Sequence, residues 1–280
     1  LTRIEPPLHP DGPEKVLQDF GVEPEKFDEM GLLNKLPNLT KTGETTEGIF
    51  APWAFYKKDF QEIGGHDSLY APQSKEDSDI FNRFQLNGIK FIQTWEGCVY
   101  HMTCRGSRRN TIDKAKNIYE DSPEWLEQNM KSTRNFIRKW GHFCKHDNLM
   151  KPIIPPKYDV AFKVTNNNLK LLEALEPWCS VFYGDGHWVQ YSHYINQEQP
   201  NTKFNLDDRI KPNDPSLHDF NHGVVVEIDG HKINEQDFQI LQILSEVLEE
   251  GGEVGEFEYG NMKITINNLI TYEKDLIKCE

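Results

Sequence analysis

The chain has 280 residues, with 31 Lys and Arg against 45 Asp and Glu, giving a formal charge of −14. Its hydrophobic content of 37%, with 6 Trp, 10 Tyr and 16 Phe, suffices for a packed core and excludes a wholly disordered acidic chain. No apolar run approaches the ~18 residues of a membrane span, and the opening Leu-Thr-Arg-Ile-Glu-Pro-Pro has neither the basic nor the apolar part of a leader.

Five scattered cysteines without CxxC spacing point to a reducing, cytoplasmic setting and no structural zinc. Asn38-Leu39-Thr40 fits the glycosylation acceptor pattern, but nothing else supports a secretory route. The acidity is uneven: residues 1–150 carry a net −3 and residues 151–280 a net −11, which disfavours nucleic acid as a partner and suits a protein partner for the second part. Pro152, Pro155 and Pro156 stiffen the chain between these parts. The reading is therefore a first domain over 1–149, a Pro-rich linker over 150–157 and an acidic domain over 158–280.

In chain order, Thr2-Arg3-Ile4 reads as the end of a strand, and Asp11-Gly12-Pro13-Glu14 as the start of a short helix stopped at Gly21. Residues 48–56 are apolar enough for a buried strand, and 57–63 for a short helix ending at Gly64-Gly65. Ser74 is placed to cap a helix over 75–86, with Asn87-Gly88 as its stop. Two short strands follow at 90–95 and 98–101, then a helix over 122–140. The second part reads as strand 158–164, helix 169–175, strand 180–183, a polar stretch, strand 224–228, helix 235–249, two strands within 252–266 and a terminal helical segment. That order resembles an α+β sandwich of the ferredoxin-like kind with an insertion.

The chemistry-bearing stretch is Ser74-Lys75-Glu76-Asp77-Ser78-Asp79-Ile80-Phe81-Asn82-Arg83-Phe84. Helical spacing puts Asp77 with Ile80, Phe81 and Phe84 on the face to be buried, while Asp79 and Arg83 pair on an adjoining, solvated face. The plain alternative is that these acids only complement the helix dipole. Gly64, Gly65 and Asp67 form a turn suited to close approach by a substrate, or an ordinary helix stop. Trp95 sits in an aromatic strand beside this region as a further substrate-binding candidate. His101 ends a strand and suits a divalent metal, and Arg105, Arg108 and Arg109 in a glycine-containing loop suit a diphosphate. In the second part, Trp178, Phe182, Tyr183, Trp188, Tyr191 and Tyr194 can build a carbohydrate-stacking face but more often fill a core. Asp185 and His187 read as a turn before a metal site.

Ile63-Gly64-Gly65-His66-Asp67, Glu76-Asp77-Ser78-Asp79 with Arg83, Asn87-Gly88 and Val99-Tyr100-His101, in this order, resemble the C-terminal half of a family 2, GT-A-type glycosyltransferase domain over about residues 1–110. The resemblance implies an α/β, Rossmann-like fold and an inverting transfer of sugar from a nucleotide-sugar to a carbohydrate or other acceptor hydroxyl. It implies Asp77 as general base, Glu76 orienting the acceptor, and His101 as a ligand to Mn2+ or Mg2+. The Asp-x-Asp that holds this metal in the family is expected before residue 1, so the expectation is an acceptor-side fragment with doubtful activity of its own. The rival readings are a non-catalytic scaffold built on a transferase remnant, and a phosphate-binding regulatory module.

Overall fold

The computed structural model describes residues 1–102 and 121–279. The first part holds β1 (Thr2–Glu5), β2 (Lys15–Leu17), α1 (Glu29–Leu39), β3 (Thr45–Thr46), α2 (Lys57–Glu62), α3 (Glu76–Leu86), β4 (Gln93–Thr94), β5 (Cys98–Tyr100) and α4 (Pro123–Trp140). β1 is flanked in parallel by β2 and β5, and β3 pairs antiparallel with β4. The expected helix after Pro13 is instead β2: the segment finds a partner in β1, a tertiary contact that local proline chemistry does not report. The expected strand over 48–56 is irregular, because the β3–β4 ladder stops at Thr46 and the aromatic residues beyond it line cavities.

The second part holds β6 (Val160–Thr165), α5 (Leu169–Leu175), β7 (Val181–Gly184), α6 (Trp188–Glu198), α7 (Leu206–Arg209), β8 (Ile210–Pro212), β9 (Val224–Asp229), α8 (Glu235–Gln242), α9 (Leu244–Gly251), β10 (Gly255–Tyr259) and β11 (Met262–Ile266). Its six-stranded sheet has the order β10-β11-β9-β6-β7-β8. β9, β6, β7 and β8 are mutually parallel, whereas β11 is antiparallel both to β9 and to β10. This is an α/β arrangement and corrects the ferredoxin-like expectation. The polar stretch read as an insertion supplies α6 and β8, which turn the run into successive crossovers, the connection parallel strands require.

Strand alternation explains the layers. Phe162 and Val164 of β6 and Val226 and Ile228 of β9 point to one face, where they are fully or almost fully buried against Leu172, Leu175, Tyr191, Leu241 and Leu248 of the helices. Ala161, Tyr183 and Val225 point to the other face, covered by Phe220 from the crossover at 213–223. There the Tyr183 hydroxyl lies 2.9 Å from His222 Nε2, and His222 Nδ1 lies 3.0 Å from an Asp159 carboxylate oxygen, which latches the crossover to the sheet.

The two parts share α4. Ser122 caps it and Gly141, at φ +83°, ends it, close to the expected span of 122–140. One side of α4 faces the first part: Ser132 donates to Gln73 O at 3.1 Å and Trp140 Nε1 to Asp79 at 3.0 Å. From the other side Arg138 reaches the fully buried Glu176, 2.7 Å away, and Glu198 at 2.9 Å. Arg209 adds a 2.6 Å contact to Glu176, and the Tyr194 hydroxyl donates to it at 2.9 Å. The C-terminal segment then returns to the first part, where Cys279 N donates to Ile63 O at 3.2 Å.

That return sets a test on Gly64. Its φ is +81°, and an added Cβ would lie 2.7 Å from Cys279 O. Gly65, at φ +76°, would meet only the Phe60 ring at 3.5 Å. Both alanine variants carry left-handed strain of roughly 1–3 kcal/mol, but Gly64→Ala must also displace backbone. Its urea unfolding midpoint is expected to fall further than that of Gly65→Ala.

Candidate functional site

α3 starts from an unusual backbone. Ser74 (φ +77°) and Lys75 (φ +70°) are consecutive non-glycine residues in the left-handed region, a conformation that costs of order 1–3 kcal/mol per residue and persists only where surroundings impose it. Asn129 of α4 imposes it here, its Oδ1 accepting from Ser74 Oγ at 2.7 Å and from Lys75 Nζ at 3.1 Å. The kink delivers Glu76 and Asp77 to the helix's first turn, where the dipole favours negative charge.

Both acids line a recess of about 260 Å3, walled by Ile49, Phe50, Phe81 and Met150 and completed by Asn82 and His146. Loss of water in the recess pushes the Asp77 carboxyl above the ordinary aspartate value, with His66 opposing the shift. Glu76 is raised in the same way, chiefly by desolvation, with the neighbouring Asp77 charge adding to it. Among the described residues, Glu76 Oε2 and Asn82 Nδ2 are buried without a hydrogen-bond partner. The recess thus presents an unanswered acceptor, an unanswered donor and a carboxylate of raised basicity, the complement of a hydroxyl, which both donates and accepts.

Helix periodicity placed the wrong aspartate in the interior. Asp77 is exposed although it lines the recess, whereas Asp79 and Arg83 are both 0% exposed and pair at 2.7 Å. Arg83 also donates to Ile63 O and Gly65 O, each at 2.7 Å, and Lys139 Nζ lies 2.7 Å from Asp79. These partners come from α2's end and from α4, so spacing within α3 revealed the pair but not its burial.

The remaining candidates separate from the recess. The Gly64-Gly65 turn packs under Cys279 and carries the Arg83 bond. Asp67 caps Leu69 N at 2.9 Å and pairs with Lys139 at 2.9 Å. Trp95 is 6% exposed, with Lys41 Nζ 4.3 Å from its ring centre. Arg105, Arg108 and Arg109 lie outside the described residues. Trp178, Phe182, Tyr183, Tyr191 and Tyr194 are buried, and Trp188, 56% exposed, is the outward member of that group. Asp185 accepts from the backbone N–H groups of Asn166 and Asn167 at 2.8 and 3.0 Å, the turn role.

His101 sits apart from Asp77 but close to the recess wall. Its Nδ1 lies 3.1 Å from Glu5 Oε2, and its ring centre is 6.1 Å from that of Phe50. Glu5 is already engaged by Lys15 at 2.8 Å and Arg3 at 3.0 Å. Among the described residues the one group of three metal-ligating side chains is Asp67, Asp79 and Cys279, and the Lys139 ammonium already stands 2.9 Å from Asp67 and 2.7 Å from Asp79. A lysine supplies the positive charge there, so neither place offers the several oxygen or nitrogen donors a divalent ion takes. Calorimetric titration with Mn2+ is expected to show no stoichiometric binding. Tight binding that survives His101→Ala would show a complete site elsewhere.

Sequence reasoning missed Asn82 and Asn129. Asn82 left a trace, a polar residue inside the apolar run of α3; Asn129 is an ordinary helix residue whose role depends on a contact 55 positions away. Among the described residues no helix is long and apolar enough to cross a membrane. Comparison with protein-family models, curated proteins and solved structures found no match to this chain.

Proposed function

We propose that the Asp77 recess is the acceptor side of a glycosyl-transfer site, with Asp77 as general base. In this reading a hydroxyl of the acceptor enters the recess, donates to Asp77 and is oriented by Glu76 Oε2 and Asn82 Nδ2. Asp77 takes its proton as the oxygen attacks the anomeric carbon of a nucleotide-sugar, and the nucleoside diphosphate leaves with inversion. The supporting observation is the meeting, in one recess, of a carboxylate of raised basicity with an unpartnered acceptor and donor. A base whose carboxyl titrates closer to neutrality takes up the proton more readily during attack.

The apolar neighbourhood adds to this. Ile49 and Phe50 also line an adjoining cavity of about 390 Å3 with Trp53, Phe55 and Phe91, space for the rest of an acceptor. The resemblance around Glu76-Asp77 and His101 supplies the reaction class; the recess supplies the proton acceptor. The test, in a protein that carries this chain together with a donor-binding half, is release of nucleoside diphosphate from a panel of nucleotide-sugars, with and without Mn2+, in the presence of mono- and oligosaccharide acceptors. No acceptor-dependent release from any of them would remove the reading.

A further inference from the structure

We propose that the carboxyl edge of the six-stranded sheet is a second ligand site, built for a nucleoside diphosphate. In chain order the parallel strands of the second part are β6, β7, β8 and β9, and in space they stand as β8-β7-β6-β9. The first three stand in the third-second-first order of one mononucleotide-binding half of a doubly wound sheet and the order reverses between β6 and β9, and in such sheets ligands lie beyond the carboxyl ends of the strands at that reversal.

A crevice of about 420 Å3 lies at that edge, within the ~300–1,000 Å3 range of small-molecule sites. Thr165 ends β6, Asp229 ends β9, Asn213 follows β8, and Asn261 stands in the β10–β11 turn; all four line it, with Lys163 and Lys263. The chain leaves β8 across the Tyr183 face, carrying Phe220 onto it, whereas it leaves β6 and β9 towards helices whose Leu172 and Leu241 pack on the opposite face. The crevice is bordered by Asn213 and Pro215 of the β8 exit and by the ends of β6 and β9.

Its chemistry fits phosphates and a ribose. The lining has no aromatic ring; it has two ammonium groups against the two carboxylates of Glu227 and Asp229, with a hydroxyl and two side-chain amides. Lys163 is held 3.2 Å from Glu227 and Lys263 2.9 Å from Glu256, both at the surface, where such pairs are worth about 0–1 kcal/mol. Exchanging a carboxylate for a phosphate oxygen therefore costs little. The Asn166 amide, at 2.8 Å, and the His231 N–H, at 3.0 Å, hold the Asp229 carboxyl below its ordinary range, which keeps it an acceptor for a sugar hydroxyl. This site is independent of the Asp77 reading and can stand if that reading fails.

The test is calorimetric titration of the whole chain with ADP, GDP and UDP, each with and without Mg2+, alongside inorganic phosphate and the free nucleosides. At least one diphosphate is expected to bind at least tenfold more tightly than phosphate or its own nucleoside. The double variant Lys163→Ala/Lys263→Ala is expected to weaken that binding by tenfold or more, with unchanged far-ultraviolet circular dichroism. Glu227→Gln, which frees Lys163 of a competing carboxylate, is expected to tighten it two- to fivefold, and Asp77→Asn to leave it unchanged. Failure of all three diphosphates to bind would overturn the proposal. So would binding that survives the double lysine variant, or that is lost with His101→Ala, since both would place the nucleotide elsewhere.

Discussion

In a protein that carries this chain together with a donor-binding half, replacing Asp77 by asparagine is expected to lower turnover by ~10²-fold or more, the scale of a lost general base, while the chain becomes slightly more stable. The two effects share one cause. The Asp77 carboxyl is raised in the folded chain because the recess removes water from its charged form. The unfolded chain thus releases this proton more readily than the folded one, so the ionised carboxylate opposes folding at neutral pH, and that penalty fades as pH falls through the folded value. Asparagine keeps the shape, removes the charge and removes the proposed base. Turnover of the unmodified chain should rise with pH through a carboxylate lying above the ordinary aspartate value. Paired measurements of turnover and of the urea midpoint check this: full activity in Asp77→Asn, with activity abolished in Glu76→Gln, would move the base to Glu76.

The largest stability effect is expected at Glu176. Burial alone would push its carboxyl up, but the guanidinium groups of Arg209 and Arg138 overcome this and hold it at about 2, against an ordinary 4.5. A depressed folded value means that the stabilisation is complete above the unfolded value and is lost as pH falls from about 4.5 through about 2. A gap of that size corresponds to on the order of 3 kcal/mol. Glu176→Gln removes the charge and leaves Arg138, 0% exposed, facing a neutral amide; breaking one side of a buried pair costs roughly 3–5 kcal/mol. Urea unfolding should show a large deficit for Glu176→Gln at pH 7 and a much smaller one near pH 3, where the unmodified chain has begun to lose the same interaction. A deficit of equal size at both pH values would mean that lost packing, and not charge, sets it.

The parts of the fold visible in the sequence are those carried by local chemistry. α4 spans 123–140 against an expected 122–140, α5 spans 169–175 as expected, and β5, β6, β7 and β9 follow from short β-branched or aromatic runs. What stayed hidden depends on partners distant in sequence. β2 is a strand because β1 lies beside it, and β8 because it joins the sheet against β7. The candidate site shows the same division. Glu76 and Asp77 stand out as acids opening an amphipathic helix, and the resemblance gave them roles. The left-handed step at Ser74 and Lys75, and the burial of Asp79 with Arg83, rest on Asn129, Lys139 and Trp140, which belong to another helix.

α4 also bears on how the molecule comes apart. A proline-rich stretch between two differently charged parts suggests beads on a string, each with its own melting transition. α4 argues for a single one: Lys139 and Trp140 close the Asp79 cluster of the first part, while Arg134 and Arg138, from the same turns, hold Glu198 and Glu176 of the second. Pulling either part away would strand buried charge in the other, so the two are expected to melt together. A ligand bound at the far edge of the sheet would then delay the unfolding of the Asp77 recess too, although the two sites share no residue and lie in different parts of the molecule.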